Sequence, residues 1–228
     1  MGGGTNLKPG EVSLAHNGVL FLDEMAEFKR SALEALRQPL EDGFVVISRA
    51  SGTVKFPSRF SLVAASNPCP CGFKGFEDEK HYCKCAPSQV KKYFGKISGP
   101  ILDRIDIHIP VPAVKPEDLK NKEGGEPSEK VRERVLKAHE IQKKRFKNLK
   151  INFNSQMGRK EILKFCKMED EAETLLNTAT KALGLSARSF NRVLKLSRTI
   201  ADLDGSDLIL RKHVAEALSY RPSEEFMG

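Results

Sequence analysis

Gly18-Val19-Leu20-Phe21-Leu22-Asp23-Glu24 sets four consecutive apolar residues directly against two carboxylates. A run that short and continuous suits a strand covered on both faces of a parallel α/β sheet, and it reads as a Walker B element. Asp23 then lies at the carboxyl edge of the strand. There it can hold the water shell of a nucleotide-bound Mg²⁺, while Glu24 polarises a water for attack on the γ-phosphate. An isolated Leu-Asp-Glu is equally a strand followed by an acidic helix cap, so the rest of the chain carries the decision.

On either side the pattern is α/β. Lys29 to Leu40 predicts a helix with Ala32, Leu33, Leu36 and Leu40 on one face, closed by Asp42-Gly43. Phe44 to Arg49 and Thr53 to Phe56 flank Ala50-Ser51-Gly52 as a hairpin, and Phe60 to Asn67 reads as a second buried strand ending in a polar residue. Ile105, Ile107 and Ile109 alternate, which predicts a strand with Arg104 at its beginning. Lys115 to Pro127 is polar, with Gly and Pro at its centre and ends, and marks a linker. After it the chain reads as wholly helical. Ser128 can cap a long basic helix with Val131, Val135, Ala138 and Ile141 at helical spacing. Helices follow over Glu161 to Lys167 and Glu169 to Leu183, the latter stopped by Gly184. Another is capped by Ser186, with Phe190, Val193, Ile200 and Leu203 inward, and Asp207 to Ser219 makes the last. The predicted division is an α/β part over residues 1–114, a linker over 115–127 and a helical domain over 128–228.

The composition, 39% hydrophobic and 30% charged over 228 residues, describes a soluble globular protein, and no apolar run approaches the length of a bilayer span. Met1-Gly2-Gly3-Gly4-Thr5 lacks the basic and apolar regions of a signal peptide, so a cytoplasmic home is expected, with no membrane partner. The net charge is +8 and unevenly spread: Lys115 to Lys164 holds fifteen Lys/Arg against eight Asp/Glu. A basic surface there favours a polyanion through counterion release. Lys143, Lys144 and Arg145 are its densest cluster, although Glu129, Glu133 and Glu140 also fit a solvated amphipathic helix without a partner. Arg49, Lys55 and Arg59 flank the predicted hairpin and can follow a phosphate backbone without reading sequence, unless the hairpin merely packs on a neighbour.

Cys69-x-Cys71 and Cys83-x-Cys85 form two pairs eleven residues apart in a segment rich in Gly, Lys and Pro. Four thiolates from two such turns can complete a tetrahedral, structural Zn²⁺ site, and His81 lies inside the loop as a possible replacement ligand. Reduced, unligated thiols are the alternative in a reducing compartment. Cys166, beside Phe165 on a helical stretch, reads as a small buried hydrophobe.

The order of these motifs resembles that of an AAA+ ATPase. Pro9-Gly10-Glu11-Val12-Ser13-Leu14-Ala15-His16, Val46-Ile47-Ser48-Arg49-Ala50, Ala65-Ser66-Asn67-Pro68-Cys69-Pro70-Cys71-Gly72 and Ser98-Gly99-Pro100-Ile101-Leu102-Asp103-Arg104-Ile105-Asp106 resemble signatures of the magnesium-chelatase-like ComM/YifB family. The resemblance covers essentially the whole chain. It implies an AAA+ P-loop NTPase core, made of a partial parallel sheet with a β-hairpin insertion, followed by an all-helical lid domain. It also implies roles. Asn67 looks like sensor 1, Arg104 like the arginine finger offered to a neighbouring subunit, and Arg188 like sensor 2 at the start of a lid helix. Taken singly, Asn67 is also a turn residue before Pro68, Arg104 a structural partner of Asp103 or Asp106, and Arg188 an exposed first-turn arginine.

No G-x-x-x-x-G-K-[ST] occurs anywhere in the sequence, so the loop that would cradle the β and γ phosphates is missing. In the family that loop and an N-terminal Lon-like domain precede this stretch, which makes the chain the expected C-terminal portion of a longer protein, inactive as an ATPase by itself. What the resemblance implies for the whole is a hexameric, ATP- and Mg²⁺-dependent motor on single-stranded or branched DNA, with branch migration in natural transformation as its setting. Two other readings stand beside it: an ATPase subunit for magnesium insertion into a porphyrin, and a non-catalytic, zinc-stabilised DNA-binding or oligomerisation module.

Overall fold

Alternation along the first strand sorts its side chains onto two faces. In a computed structural model, which describes residues 8–49, 52–75, 82–112 and 125–222, β1 (Val19–Leu22) pairs in parallel with β4 (Ser61–Ala64), Leu22 opposite Ala64. Leu20 and Leu22 point to one side, against a core of Met25, Ala26, Leu33, Leu36, Val45 and Ile101. Val19 and Phe21 point to the other, 62% and 58% exposed. The expected cover on both faces is therefore present on one face only among the described residues.

Between the paired strands the chain makes α2 (Arg30–Glu34), α3 (Arg37–Asp42) and a hairpin of β2 (Phe44–Arg49) and β3 (Gly52–Pro57). A short α1 (Glu11–Leu14) precedes β1. The predicted single helix over Lys29 to Leu40 is thus broken in two. Pro39 explains the break: within one continuous helix its missing N–H would forfeit a bond to Ala35 and its ring would crowd that carbonyl, whereas in the first turn of α3 no intrahelical acceptor is needed. Gly43, at φ 71°, ends α3. The hairpin is antiparallel, in register from Phe44 opposite Pro57 to Arg49 opposite Gly52, and forms its own two-stranded sheet apart from β1 and β4. Its tip, Ala50-Ser51, lies outside the described residues. Helices α4 (Pro87–Phe94) and α5 (Gly99–Leu102) supply Tyr93, Phe94 and Ile101 to the same core.

The strand expected over Ile105 to Ile109 does not form. Its backbone bonds elsewhere: the His108 N–H donates to the Tyr220 carbonyl at 2.8 Å, so the segment is held by the end of a helix rather than by a neighbouring strand.

The chain forms two compact units. Among the described residues the first holds 8–105, 110–112 and 222, and the second 106–109 and 125–221. Most of the expected linker, through residue 124, lies outside the described residues. The second unit is helical: α6 (Ser128–Arg145), α7 (Arg159–Phe165), α8 (Asp170–Ala182), α9 (Ala187–Leu203) and α10 (Arg211–Ser219). Ser186 caps α9 as its sequence predicts, its hydroxyl accepting from the Ser189 N–H at 3.2 Å, and Gly184 turns the chain at φ 57° just before it. Val193, Leu194 and Ala201 of α9 meet Leu176 of α8, Val214 and Ala217 of α10, and Phe146, Ile162 and Cys166. Cys166 is the buried hydrophobe expected, and burial pushes its thiol up to about 11. Two expected inward groups differ. Leu203 is exposed, and on α6 Val131 and Val135 are exposed while Ala138 is buried, so only the C-terminal half of that apolar stripe is covered within the unit.

The second unit also contains a polar keystone that the sequence reading did not include. The fully buried carboxylate of Asp202 accepts from Arg145, from Arg198 Nε at 3.1 Å and from Asn154 Nδ2 at 2.8 Å. Arg198 further donates to the Asp207 and Ser206 carbonyls, and Gln142 Oε1 accepts from the Asn154 N–H at 3.0 Å. α6, the turn at Asn154 and α9 are tied through one anion whose lone pairs are all engaged.

Candidate nucleotide edge and cysteine centre

Parallel pairing brings two strand ends to one edge. Beyond Leu22 and Ala64 the ladder runs on: the Ala65 N–H donates to the Leu22 carbonyl at 2.9 Å and the Met25 N–H to the Ala65 carbonyl at 2.8 Å. Asp23, Glu24 and Asn67 therefore emerge together at the carboxyl edge of a parallel pair, all three exposed. In open α/β sheets that edge is where ligands bind. Glu24 has φ 48° and ψ 48°, a left-handed conformation that costs a non-glycine residue about 1–2 kcal/mol. Its N–H donates to Asp23 Oδ1 at 3.0 Å, which holds the Asp23 carboxylate against the Glu24 backbone. Two exposed carboxylates and an amide are hard oxygen donors of the kind Mg²⁺ and its water shell accept, so this edge fits a Mg²⁺-nucleotide.

Arg104 follows α5 in a turn, and its side chain is only 9% exposed. Its guanidinium donates to the Pro100 carbonyl at 2.6 Å and pairs with Glu41 of α3. The sequence pointed to Asp103 or Asp106 as structural partners; Asp106 pairs with Arg192 of α9. Arg188 stands exposed in the first turn of α9, in the helical unit.

At the hairpin's base Lys55 and Arg59 line one cavity of about 530 Å³ together with His16, Asp42 and Phe44. Lys55 Nζ sits 3.5 Å from the centroid of the Phe44 ring. The Arg59 N–H donates to His16 Nδ1 at 3.0 Å, and the Arg59 stem lies so close over Gly43 that a Cβ there would come within 2.9 Å of its Cγ. The Arg49 side chain lies outside the described residues. On α6, Lys143 and Lys144 are exposed, but Arg145 is turned inward onto Asp202 and Asn154 at 2.9 Å. Of the three residues proposed for nucleic acid on α6, Arg145 is the one the structure commits to the fold. Its charge has a buried partner in Asp202.

The four cysteines converge. Cys69 Sγ lies 3.3 Å from Cys71 Sγ and 3.6 Å from Cys83 Sγ, Cys71 and Cys83 are 3.7 Å apart, and all four sulfurs lie within 4.8 Å of one another. None is in a disulfide. A tetrahedron with Zn–S bonds of about 2.3 Å has sulfur separations near 3.8 Å, so the cluster fits that ion. The Phe73 N–H on its sulfur lowers Cys71 to about 6, and the Cys71 sulfur beside it pushes Cys85 up to about 12. His81, the alternative ligand, lies outside the described residues. Aromatic neighbours of the pairs, Phe73 and Tyr82, escaped the sequence reading. Their signal is an aromatic beside each Cys-x-Cys turn.

Two family models match the chain, one described as magnesium chelatase, subunit ChlI, over residues 1–119, and one as its C-terminal part over residues 125–221. Competence protein ComM of Haemophilus influenzae is 49% identical over 226 residues, which cover 97% of this chain and 42% of that protein. The uncharacterized protein YifB of Escherichia coli is 44% identical over 229 residues, covering 100% of the chain and 44% of that protein. More remote is DNA replication licensing factor mcm6 of Dictyostelium discoideum, 23% identical over 94% of the chain and 24% of that protein. The chain thus spans less than half the length of the curated relatives it matches. No described helix is long and apolar enough to cross a membrane. Two matching family models and relatives aligned along nearly the whole sequence carry one conclusion: the chain belongs to the magnesium-chelatase-like family that includes ComM and YifB.

Proposed function

We propose that this chain carries the hydrolytic edge and the lid of an AAA+ ATPase that moves DNA. The observation that carries the reading is the carboxyl edge of β1 and β4, where Asp23, a conformationally strained Glu24 and Asn67 stand together and exposed. In this reading Asp23 holds the water shell of Mg²⁺, Glu24 orients and deprotonates the attacking water, and Asn67 fixes its position. Mg²⁺ supplies neutralisation of charge on the phosphates. The phosphate cradle comes from chain outside these 228 residues, and without it the chain alone turns over no ATP. Arg188 acts as sensor 2 on the nucleotide. Arg104 leaves Glu41 and reaches a neighbour's nucleotide when a ring, a hexamer in this reading, assembles.

DNA is the substrate favoured by the exposed Lys143 and Lys144, by the Lys55 and Arg59 cavity, and by the names of two relatives: a competence protein and a replication licensing factor. Single-stranded or branched DNA is taken without regard to sequence, through phosphates. A structural zinc in the Cys69, Cys71, Cys83 and Cys85 cluster fixes the loop after β4. The family match itself favours a second reading, the ATPase subunit of magnesium insertion into a porphyrin.

Phosphate release by the protein including its phosphate loop, with and without single-stranded DNA, separates the two readings. Stimulation by DNA supports the motor, and no response to any DNA removes it. Mixing Arg104→Ala with Glu24→Gln subunits tests the finger: recovery of turnover is expected if Arg104 acts across a boundary, whereas loss of ATP binding in Arg104→Ala alone assigns it to structure through Glu41.

A further inference from the structure

We propose that the cavity at the base of the hairpin is a seat for a single phosphate of a DNA strand, with His16, Lys55 and Arg59 as its three donors. It rests on the reading of the protein as one that handles DNA, and adds a discrete pocket, with a histidine in it, at the sheet edge opposite the nucleotide. The cavity of about 530 Å³ is lined by these three residues with Asp42, Gly43 and Phe44 among others. Two cations against one carboxylate leave it a positive charge in excess. Neither cation is paired: among the described residues Lys55 and Arg59 form no salt bridge with Asp42 or with any other carboxylate.

Each donor is placed by the fold before a ligand arrives. Lys55 Nζ lies 3.5 Å from the Phe44 centroid, where the face of the ring attracts the ammonium. The Arg59 stem occupies the space that a Cβ at Gly43 would take. His16 Nδ1 accepts from the Arg59 N–H at 3.0 Å, so the ring proton sits on Nε2, which makes no hydrogen bond among the described residues. An imidazole N–H, an ammonium and a guanidinium fork on one cavity suit the oxygens of a phosphate.

The edge decides whose phosphate it is. His16 and Asn17 lead into β1 and Arg59 leads into β4, and the two approaches are clipped together: the Asn17 N–H donates to the Arg59 carbonyl at 2.5 Å and the Ser61 N–H to the Gly18 carbonyl at 2.9 Å. Asp23, Glu24 and Asn67 follow the other ends of the same strands. Four residues at about 3.3 Å each separate the two edges by roughly 13 Å or more. A Mg²⁺ held by Asp23 keeps the nucleotide's phosphates at the carboxyl edge, so the phosphate at the amino edge belongs to another molecule, and a strand passing the hairpin supplies it.

The chain has five histidines, and their ring C–H signals can be followed by NMR as inorganic phosphate is added at constant pH and ionic strength. The His16 signal, identified as the one missing in His16→Asn, should shift saturably. Oligo-dT should move the same signal at far lower concentration and displace the phosphate. Asparagine at position 16 keeps an acceptor for the Arg59 N–H and removes the Nε2 donor, so His16→Asn should bind oligo-dT about three- to tenfold more weakly with its unfolding midpoint unchanged. Lys55→Gln with Arg59→Gln should lower the slope of log affinity against log salt by about 0.7, the value for one phosphate of a single strand; a fall of about 1.4 would assign the two cations to two phosphates and overturn the single seat. A His16 signal that follows inorganic phosphate but not oligo-dT overturns the assignment to a strand. If oligo-dT binds while the His16 signal stays still and substitution at 16, 55 and 59 costs no affinity, this inference falls and the DNA reading stands. If the chain binds neither oligo-dT nor duplex, both fall.

Discussion

Two acidic sites, one in each unit, show opposite uses of a carboxylate. Asp202 in the helical unit is sealed from solvent and collects Arg145, Arg198 and Asn154. Asp23 and Glu24 in the α/β unit stand exposed at a strand edge, with one bond between them and a left-handed backbone at Glu24. A saturated anion has nothing left to give a ligand and returns its electrostatic energy to the fold. The open pair leaves most of its lone pairs to solvent and retains backbone strain at Glu24.

The sharpest test of that contrast is Glu24→Gln in the protein including its phosphate loop. Turnover should fall by about 10²–10⁴-fold with nucleotide binding kept, and the unfolding midpoint should not drop. A fall in stability of the size seen for a buried pair would erase the distinction. Asp202→Ala should do the reverse. It strands two guanidinium groups, Arg198 among the most deeply buried side chains, and should destabilise the helical unit by about 3–5 kcal/mol in denaturant unfolding. A loss under 1 kcal/mol would mean that water reaches the network.

Zinc removal should have a smaller, local effect. Elemental analysis should give about one zinc per chain, and Cys69→Ser or a chelator should release it and lower the thermal midpoint while the helical unit's far-ultraviolet signal persists. Metal-free, folded, reduced protein would defeat the assignment. The least of these effects is expected on α6: Lys143→Glu with Lys144→Glu should weaken DNA binding for every sequence alike and reduce the salt slope by about one to two. Arg145→Gln should leave that slope unchanged and lower stability instead, because its charge is already spent on Asp202. Equal loss of DNA affinity in both variants would return Arg145 to the surface.

The signals that were legible in the sequence are local ones. The apolar run into Asp23, the hairpin about Ser51-Gly52, the Ser186 cap and the Cys-x-Cys pairs each depend on a few adjacent residues, and each appears where the sequence places it. What escaped reading depends on partners far along the chain. The alternation of Ile105, Ile107 and Ile109 is a strand pattern, yet Tyr220 takes the backbone bond at His108. The burial of Arg145 needs Asp202, 57 residues on. One clue lay in plain view: Arg198 and Asp202 are four apart on the apolar stripe of α9, beside Ile200 and Ala201, where a charged pair belongs only if something else closes over it. The break between α2 and α3 was also readable, since Pro39 sits inside the predicted helix.

The left-handed backbone at Glu24 has a consequence for evolution in the laboratory. Glycine adopts that conformation without penalty and asparagine nearly so, which means the position is occupied by a residue the fold itself disfavours. A library selected only for folding and yield should therefore drift at position 24 toward Gly or Asn and become more thermostable. A library selected for turnover should keep Glu there and accept the lower midpoint. The identity of this one residue would then report which pressure a population had been under.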